Sequence, residues 1–357
     1  MELRHWHWAL GLAAFLVAGE SLEGGESPAE EPSGEATDHQ PRRGPIEIRD
    51  EFILAQPRLT LPAISPDTLG KGETSIRASF IWGNSFGWIQ DQSGEKPLAR
   101  DFLIDGETRA FDLIVKTGLL ADLEVGIRVP VRWRGGGVTD SVIDDFHDAT
   151  EGIGFKDNGR RFFLKDRFRV EGFTKDGRSF SLSNDHGTGL GDIELEPKYR
   201  LLDGGPEGWS VAGVGRLGLP TGSGPFQTGS VSGGLQVAVA KRLARRFDFF
   251  LGGGGTGFSD SEINGIEYET FRGQGFTALE WRPVSPWSVI LQTDYSTRLI
   301  RNIRGFAGHH WMVHLGSKIE VTPSVEIELA ISENILDLEV TTDFAVEVGL
   351  VVRLPAW

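Results

Sequence analysis

Twelve segments of the sequence alternate apolar and polar residues, and this alternation constrains the fold more than any other feature. The clearest is LEVGIRVPVRW, residues 123 to 133, with an apolar side chain at every odd position and Glu, Gly, Arg or Pro at every even one. Successive side chains of a strand point to opposite faces, so a strict period of two predicts a β-strand. The pattern leaves open whether the apolar face meets a protein core or lipid.

The connectors between these segments alternate in length, which favours a barrel over a sandwich. Outer-membrane barrels have short periplasmic turns and long extracellular loops, whereas nothing in a sandwich requires its connectors to alternate in length. The tight connectors lie near 118–121, 203–208, 244–245, 283–286 and 322–323, and the long ones near 90–104, 135–189, 220–230, 259–268, 299–308 and 333–342. We therefore predict an all-β fold, an antiparallel transmembrane β-barrel of about 12 strands in the outer membrane of a Gram-negative-type bacterium, with one long extracellular insert. The predicted strands span 74–89, 105–117, 122–134, 190–202, 209–219, 231–243, 246–258, 269–282, 287–298, 309–321, 324–332 and 343–354.

Aromatic residues near the segment ends, and the form of the last segment, favour lipid outside the barrel. Amphipathic rings prefer the membrane interface, and the candidates for such a girdle are Trp82, Trp88, Trp133, Trp209, Trp281, Trp287, Tyr295 and Trp311. The last segment, FAVEVGLVVRL, has one apolar face and is typical of a barrel-closing strand. Its candidate closing residues are Phe344, Gly349, Leu354 and Trp357, although Trp357 is out of phase with the apolar face. The alternative is that the tryptophans fill the core of a sandwich.

The chain divides into three predicted regions. Residues 1–19 are predicted to be a signal peptide, because Arg4 precedes a short apolar run that ends in small residues. A buried N-terminal helix is the alternative. Residues 20–72 are rich in Glu, Pro, Gly and Ser, which predicts an irregular, acidic periplasmic segment that either plugs the barrel or stays outside it. Residues 73–357 form the predicted barrel, with a long loop at 135–189.

Charged residues on the polar faces of the strands predict a polar lumen. Isolated ionised groups are costly to bury, so these residues need either partners or water, and a barrel interior can supply both. The candidate lumen-lining residues are Asp112, Lys116, Glu124, Arg128, Arg132, Asp192, Glu194, Glu196, Lys198, Arg200, Arg272, Glu280, His310, His314 and Lys318. If the first hairpin turns about Leu120, Asp112 lies opposite Arg128, and the next strand sets Arg132 against Asp192. Whether these charges pair and close the lumen stays open, because twelve strands permit only a narrow pore.

Composition and motifs argue against several functions. A net charge of −15 argues against nucleic-acid binding, and the absence of cysteine excludes disulfides, thiolate metal sites and Cys nucleophiles. The acidic cluster near Asp140 lacks the spacing of a calcium-binding EF-hand loop. His310 and His314, four apart on a strand, lie about 13 Å from each other, too far to share a metal. Adjacent residues such as those in SLSNDHG cannot easily form a catalytic triad. We therefore expect no enzyme activity, no metal and no cofactor.

Several stretches resemble an uncharacterised bacterial envelope family, domain of unknown function 3187. They are IWGNSF at 81–86, GETRAFDLIVKTGLLADLEVGIRVPV, GGGVTDSVIDDFHDATEGIGFKDNGRRFF, SENI at 332–335 and TDFAVEVGL. The resemblance covers most of 75–354 and implies an outer-membrane barrel without an established activity. The family pattern falls on Asp140, Ile143, Phe146, His147 and Arg160. The family gives these residues no role. We interpret them as a folded loop that packs into or over the barrel mouth, with Phe146 as its apolar contact and His147 and Arg160 paired with acids.

These observations predict an outer-membrane barrel that acts as a narrow channel or carrier for an unknown small solute, with the 135–189 loop as its gate. The expected partners are outer-membrane lipid and the barrel-assembly machinery, and no nucleic acid. Two alternatives remain. One is a structural or adhesive surface barrel without transport, and the other is an envelope enzyme acting on lipid, with a Ser, His and Asn or Asp on the outer wall.

Overall fold

Twelve long antiparallel strands form a closed barrel in the computed structural model, which describes residues 42–90, 100–141, 145, 164–205, 207–303, 306, 308–336 and 341–356. The barrel strands are β1 (Thr74–Gln90), β2 (Arg100–Leu120), β3 (Leu123–Gly135), β7 (Ile193–Leu202), β8 (Trp209–Leu219), β9 (Ser232–Ala244), β10 (Phe247–Phe258), β13 (Phe271–Val284), β14 (Trp287–Ser296), β15 (His310–Thr322), β16 (Val325–Leu336) and β17 (Phe344–Leu354). Short strands β4 (Arg169–Phe173), β5 (Ser179–Ser181), β6 (Gly187–Leu190), β11 (Glu262–Ile263) and β12 (Ile266–Glu267) lie in the connectors. The pairing of β1 with both β2 and β17 closes the barrel.

The prediction of a twelve-stranded antiparallel barrel is confirmed, and each predicted segment lies on one barrel strand. The main difference is β2, which begins at Arg100 rather than at residue 105. Its upper end is extended because Ile104 pairs with Val170 of β4, inside the 135–189 insert. The described part of the insert therefore continues the wall of the barrel beyond the strands that the alternation predicts.

The apolar faces of the strands point outward. Leu315 on β15 and Val348 on β17 are 40% and 48% exposed, whereas their neighbours His314 and Glu347 are buried. An exposed apolar belt around a polar interior is the arrangement of an outer-membrane barrel, in which lipid covers the belt. The alternation that opens the sequence analysis is thus explained by lipid outside and polar groups inside. No helix in the described part of the chain is long and apolar enough to cross a membrane.

Residues 42–69, called here the inner segment, lie inside the barrel. Arg42 pairs with Asp248 of β10, Arg49 with Glu194 of β7, and the backbone of Ile46 bonds to β14. A short stretch of chain can contact strands on opposite sides only from within the lumen. The sequence predicts that residues 20–72 form a periplasmic segment and leaves open whether they plug the barrel. Of the described residues in that range, 42–69 lie in the lumen.

The inner segment enters and leaves at the end of the barrel that carries the tight turns, called here the turn end. Nη2 of Arg43 donates to the carbonyl of Ser285, in the turn between β13 and β14, at 2.8 Å. Near the other end of the segment, the backbone N–H of Leu69 donates to Glu124, one residue into β3, at 3.0 Å. Between these points the chain runs to the opposite, loop end and returns.

At the loop end, the tip of the inner segment is covered by an apolar cluster. Phe52, Ile53, Leu54 and Ala55 form the tip, and each is almost completely buried. Their partners come from the long connectors and the top of β2: Phe102, Ile104, Val170, Phe180, Leu182, Ile266, Tyr268, Leu299, Ile300, Ile303 and Phe306. Apolar contact therefore holds the tip, whereas polar contacts surround the rest of the segment.

Candidate functional site: the lumen and the inner segment

Most of the charged residues predicted for the lumen are buried. Those with buried side chains are Asp112, Glu124, Arg128, Arg132, Glu194, Glu196, Lys198, Arg272, Glu280, His310, His314 and Lys318. Lys116, Asp192 and Arg200 are partly exposed. Arg200 lies at the turn end, 2.7 Å from Asp122, and Asp192 accepts a hydrogen bond from Thr228 at 2.7 Å.

The predicted register of the β2–β3 hairpin is wrong by two residues. Asp112 lies opposite Pro130 instead of Arg128, because the turn occupies residues 121–122 rather than centring on Leu120. A shift of two keeps every side chain on the same face. The predicted charge pair therefore still forms, diagonally, with Nη1 of Arg128 2.6 Å from Oδ2 of Asp112.

The predicted register between β3 and β7 is wrong in the same way. Arg128 lies opposite Glu194, and Arg132 lies opposite Gly189 of β6 rather than opposite Asp192. A long insert separates these strands, so no local turn constrains how they align. Arg132 instead pairs with Asp112 at 2.8 Å.

A buried ion-pair network joins the inner segment to strands β3, β7 and β8. Glu194 is at its centre, in contact with Arg49 of the inner segment, and 3.7 Å and 3.2 Å from Arg128 and Arg216. All four side chains are at most 7% exposed. Removing one member of such a group leaves another charge buried without compensation, which is strongly destabilising. The network thus depends on the segment being in place.

Glu47 of the inner segment is a second charged contact with the wall. Its Oε1 lies 2.7 Å from Nζ of Lys116 and 3.7 Å from Arg216. Burial favours a raised pKa for Glu47, but Lys116, Arg128 and Arg216 outweigh it and hold the pKa well below its usual range. Glu47 therefore stays ionised and keeps its contact with Lys116.

The other side of the inner segment meets a separate set of charges near the turn end. Arg43 lies 2.7 Å from Glu320 and 3.4 Å from Glu326, and Arg42 lies 3.4 Å from Asp248. Several buried charged residues of the wall were not predicted, namely Arg77, Arg216, Asp248 and Glu347. These residues could have been assigned to the lumen from the sequence, because they lie on the polar faces of predicted strands.

Glutamine side chains of the wall form hydrogen bonds with the backbone of the inner segment. Gln292 accepts from the N–H of Ile46 at 3.0 Å and donates to its carbonyl at 3.2 Å. Gln274 accepts from the N–H of Leu61 at 2.8 Å, and Gln236 donates to the carbonyl of Pro62 at 3.2 Å. The described part of the segment forms no β-strand. Side chains therefore take the place of a sheet in satisfying its backbone.

Glycines of the wall make room for apolar side chains of the segment. A Cβ placed on Gly316 of β15 would lie 2.6 Å from Cδ1 of Ile46, closer than real Cβ atoms come to other atoms. A Cβ on Gly234 of β9 would lie 2.9 Å from Cδ2 of Leu61. These two glycines, called here the glycine seats, leave the space that the side chains of Ile46 and Leu61 occupy. A larger residue at either position would take up that space and displace the segment.

The remaining space in the lumen is small. One cavity of about 50 Å³ lies between the inner segment and strands β13 to β17, and one of about 20 Å³ lies on the β3 and β7 side. A third, of about 120 Å³, lies at the turn end beside Arg43 and Glu47. A cavity needs about 10–15 Å³ of volume open to a water-sized sphere to hold one water molecule, so each of these cavities can hold water.

One row of side chains resembles a catalytic triad. Oγ of Ser332 lies 2.7 Å from Nδ1 of His314, and Nε2 of His314 lies 3.3 Å from Oδ2 of Asp294. The row crosses β14, β15 and β16 and lines the 50 Å³ cavity. The sequence analysis missed it because the three residues become neighbours only through strand pairing. It faces the lumen, whereas the lipid-acting enzyme considered there needed a site on the outer wall.

The family pattern in the insert lies mostly outside the described residues. Asp140 is described and buried, and its Oδ2 accepts a hydrogen bond from the N–H of Asp166 at 2.6 Å. Ile143, Phe146, His147 and Arg160 lie outside the described residues. Within the described ranges, no group of three or more His, Asp or Glu residues could hold a metal ion.

The barrel-closing strand is β17, which pairs with β1 on one side and β16 on the other. Phe344 lies opposite Asn84, Gly349 opposite Ser79 and Leu354 opposite Thr74. Phe344 and Leu354 point outward and are exposed. Trp357 lies outside the described residues.

One solved structure supports the fold, and a family model identifies the family. The chain is similar to the COG4313 outer membrane channel from Pseudomonas putida F1, with a TM-score of 0.54 and 13% identity, over 83% of this chain and 100% of that chain. It also matches the KdgM porin (TM-score 0.40, 6% identity, 78% and 98% of the two chains) and the toluene transporter TodX from P. putida (TM-score 0.36, 10% identity, 80% and 90%). No curated protein matches significantly. The family described as protein of unknown function (DUF3187) matches residues 34–354, so the chain belongs to this family, as its motifs suggested.

Proposed function

We propose that the protein is an outer-membrane channel for a small polar solute, and that the inner segment closes its lumen. The observation that carries this proposal is that a separate piece of chain, rather than the wall itself, fills the barrel. Eight strands leave an interior that wall side chains fill, whereas twelve leave more space. Here residues 42–69 occupy that space, and the lumen behind them is lined by charged and amide groups.

The contacts of the inner segment suit displacement. Apart from its apolar tip and the side chains of Ile46 and Leu61, the segment is held by ion pairs and side-chain hydrogen bonds, and the groups that make them can be solvated by water when the segment moves. No β-ladder has to be broken between the described part of the segment and the wall. A transition between closed and open states then requires exchange of polar partners and release of the apolar tip, but no unfolding of the barrel.

The 135–189 insert contributes to the gate through the tip of the segment. Val170, Phe180 and Leu182 of the insert pack in the same apolar cluster as Phe52 and Ile53. Movement of the insert removes its apolar side chains from the tip, so the insert and the inner segment move together when the channel opens. The sequence analysis placed the gate in the insert alone, and the inner segment adds the part that blocks the lumen.

A reversible cross-link tests the proposal. A Cβ on Gly83 would lie 3.1 Å from the Cβ of Glu51. Disulfides have Cβ–Cβ distances of about 3.5–4.5 Å, so the bond requires the two residues to move slightly apart. The chain has no cysteine of its own. In a planar bilayer, we expect the Glu51→Cys/Gly83→Cys variant to show discrete openings when reduced and none when oxidised, with recovery on adding dithiothreitol.

The single variants Glu51→Cys and Gly83→Cys serve as controls, and neither should respond to oxidation. Equal conductance in the oxidised and reduced double variant would show that the inner segment is not the gate. Silence of the wild type and of every variant in both states would favour the alternative of a surface barrel without transport.

A second candidate function is hydrolysis, favoured by the row Ser332, His314 and Asp294. A serine nucleophile needs a hydroxyl bonded to an imidazole that lies beside a carboxylate. Here Ser332 bonds Nδ1 of His314 and Asp294 lies 3.3 Å from Nε2, so the two ring nitrogens exchange the roles that they have in the serine triad. A fluorophosphonate probe should then label Ser332 in a variant whose inner segment is displaced, and labelling should disappear in Ser332→Ala and His314→Gln. Absence of labelling in the displaced variant would identify the row as a structural polar contact of the lumen.

A further inference from the structure

We infer that the lumen binds short peptides, and that the inner segment occupies this peptide site in the closed state. The inference rests on the proposed channel function and names the class of its solute. A solute that displaces the segment uncovers the groups that the segment satisfies. Buried polar groups left without partners are costly, so the favoured solute is one that restores the same contacts.

The first set of contacts matches a peptide backbone. Gln292 bonds both the N–H and the carbonyl of Ile46, at 3.0 Å and 3.2 Å. A primary amide side chain carries one acceptor and a donor group, so it complements the N–H and C=O of one peptide residue. Gln274 and Gln236 repeat this pattern on Leu61 and Pro62, with one acceptor and one donor.

The second set of contacts matches apolar side chains. Gly316 leaves room for Ile46, on a strand adjacent to that of Gln292, and Gly234 leaves room for Leu61, on the same strand as Gln236. Sugars also offer donors and acceptors to amide groups, but they carry no branched apolar side chain for these glycine seats. Amide groups together with apolar side chains define a peptide rather than a saccharide.

The third contact suits the amino terminus of a free peptide. Oε2 of Glu280 accepts a hydrogen bond from the N–H of Gly44 at 3.2 Å, two residues before Ile46. A peptide that begins at this position would place its α-ammonium group against the Glu280 carboxylate. An opposite charge at that distance favours binding over the neutral backbone N–H that the segment presents.

The probe is the pentapeptide Gly-Pro-Ile-Glu-Ile, the sequence of residues 44–48. The experiment uses the full chain carrying Gly234→Leu, which disturbs the Leu61 seat and leaves the Gln292 and Gly316 seat intact. The peptide, its reversed sequence and a trisaccharide of similar mass are added in turn to single channels. We expect the peptide to interrupt the current with dwell times about tenfold longer than those of the reversed sequence. Adding Gln292→Ala should remove that difference.

Binding is also measured without conduction, by fluorescence anisotropy of the dye-labelled peptide with the same variant in detergent. Equal block by both peptides and the trisaccharide, in a channel that conducts, would overturn the peptide site and leave the channel function intact. If the barrel binds the peptide in preference to its reversed sequence but never conducts, the peptide site stands and the proposed channel function is wrong. No binding in detergent would overturn the inference.

Discussion

Replacing Gly234 with leucine is expected to convert the closed barrel into a conducting one. A Cβ at this position would lie 2.9 Å from Cδ2 of Leu61 and 3.0 Å from Cγ2 of Thr256, so the larger side chain of leucine would compete with Leu61 for the same space. Overpacking of this kind costs about 1–3 kcal/mol. A change of that size shifts the balance between open and closed states by about 5- to 150-fold. The measurement is open probability in single-channel recordings of the refolded protein.

The adjacent glycine provides a matched control. Gly233 lies on the same strand but faces outward, and a Cβ there meets only the carbonyl oxygen of Arg216, at 3.9 Å. Gly233→Leu adds the same apolar group on the lipid face and should leave open probability at the wild-type value. Equal opening in both variants would mean that leucine disturbs strand β9 itself, and the role of the Leu61 seat would be wrong.

Replacing Glu194 with glutamine is expected to give the largest loss of stability among single changes in the lumen. Glu194 contacts Arg49, Arg128 and Arg216, so its neutral analogue leaves three buried guanidinium groups without their shared carboxylate. Breaking a buried ion pair in this way costs about 3–5 kcal/mol. The measurement is the free energy of unfolding from guanidinium titration of the protein in lipid vesicles.

The control for Glu194 is an ion pair at the surface. Arg178 and Asp176 lie 2.8 Å apart, and their side chains are 63% and 57% exposed. Exposed pairs contribute little, so Asp176→Asn should leave the unfolding transition in place. A loss in Glu194→Gln no larger than that in Asp176→Asn would show that water already solvates the charges of the lumen.

The strands and their facing directions were predictable because they follow from local sequence. Leu123 to Trp133 alternate strictly, and a pleated backbone has only two faces, so the apolar and polar sets separate without knowledge of any distant contact. Tight connectors also predicted which strands are neighbours, because a short turn joins two strands that lie side by side. The lumen-facing direction of Asp112, Arg128 and Glu194 followed from this alternation, although the predicted register was two residues off.

Contacts that join distant parts of the chain were not predictable. The row Ser332, His314 and Asp294 exists because β14, β15 and β16 align in one register. That register depends on bulges near the strand ends and on packing inside the barrel. The seat of Ile46 on Gly316 joins residues 270 positions apart, and a lone glycine in a strand gives no sign of its partner.

The strand period, the alternation of short and long connectors and the separation of lipid-facing from lumen-facing side chains are all readable in the amino-acid sequence. These properties depend on backbone geometry and on the cost of exposing or burying each side chain, which every residue carries locally. What fills the lumen follows from tertiary contacts alone. Residues 42–69 have the repeated prolines of a linker and no strand alternation. They become part of the interior because charged, amide and glycine residues from many strands of the wall contact them together.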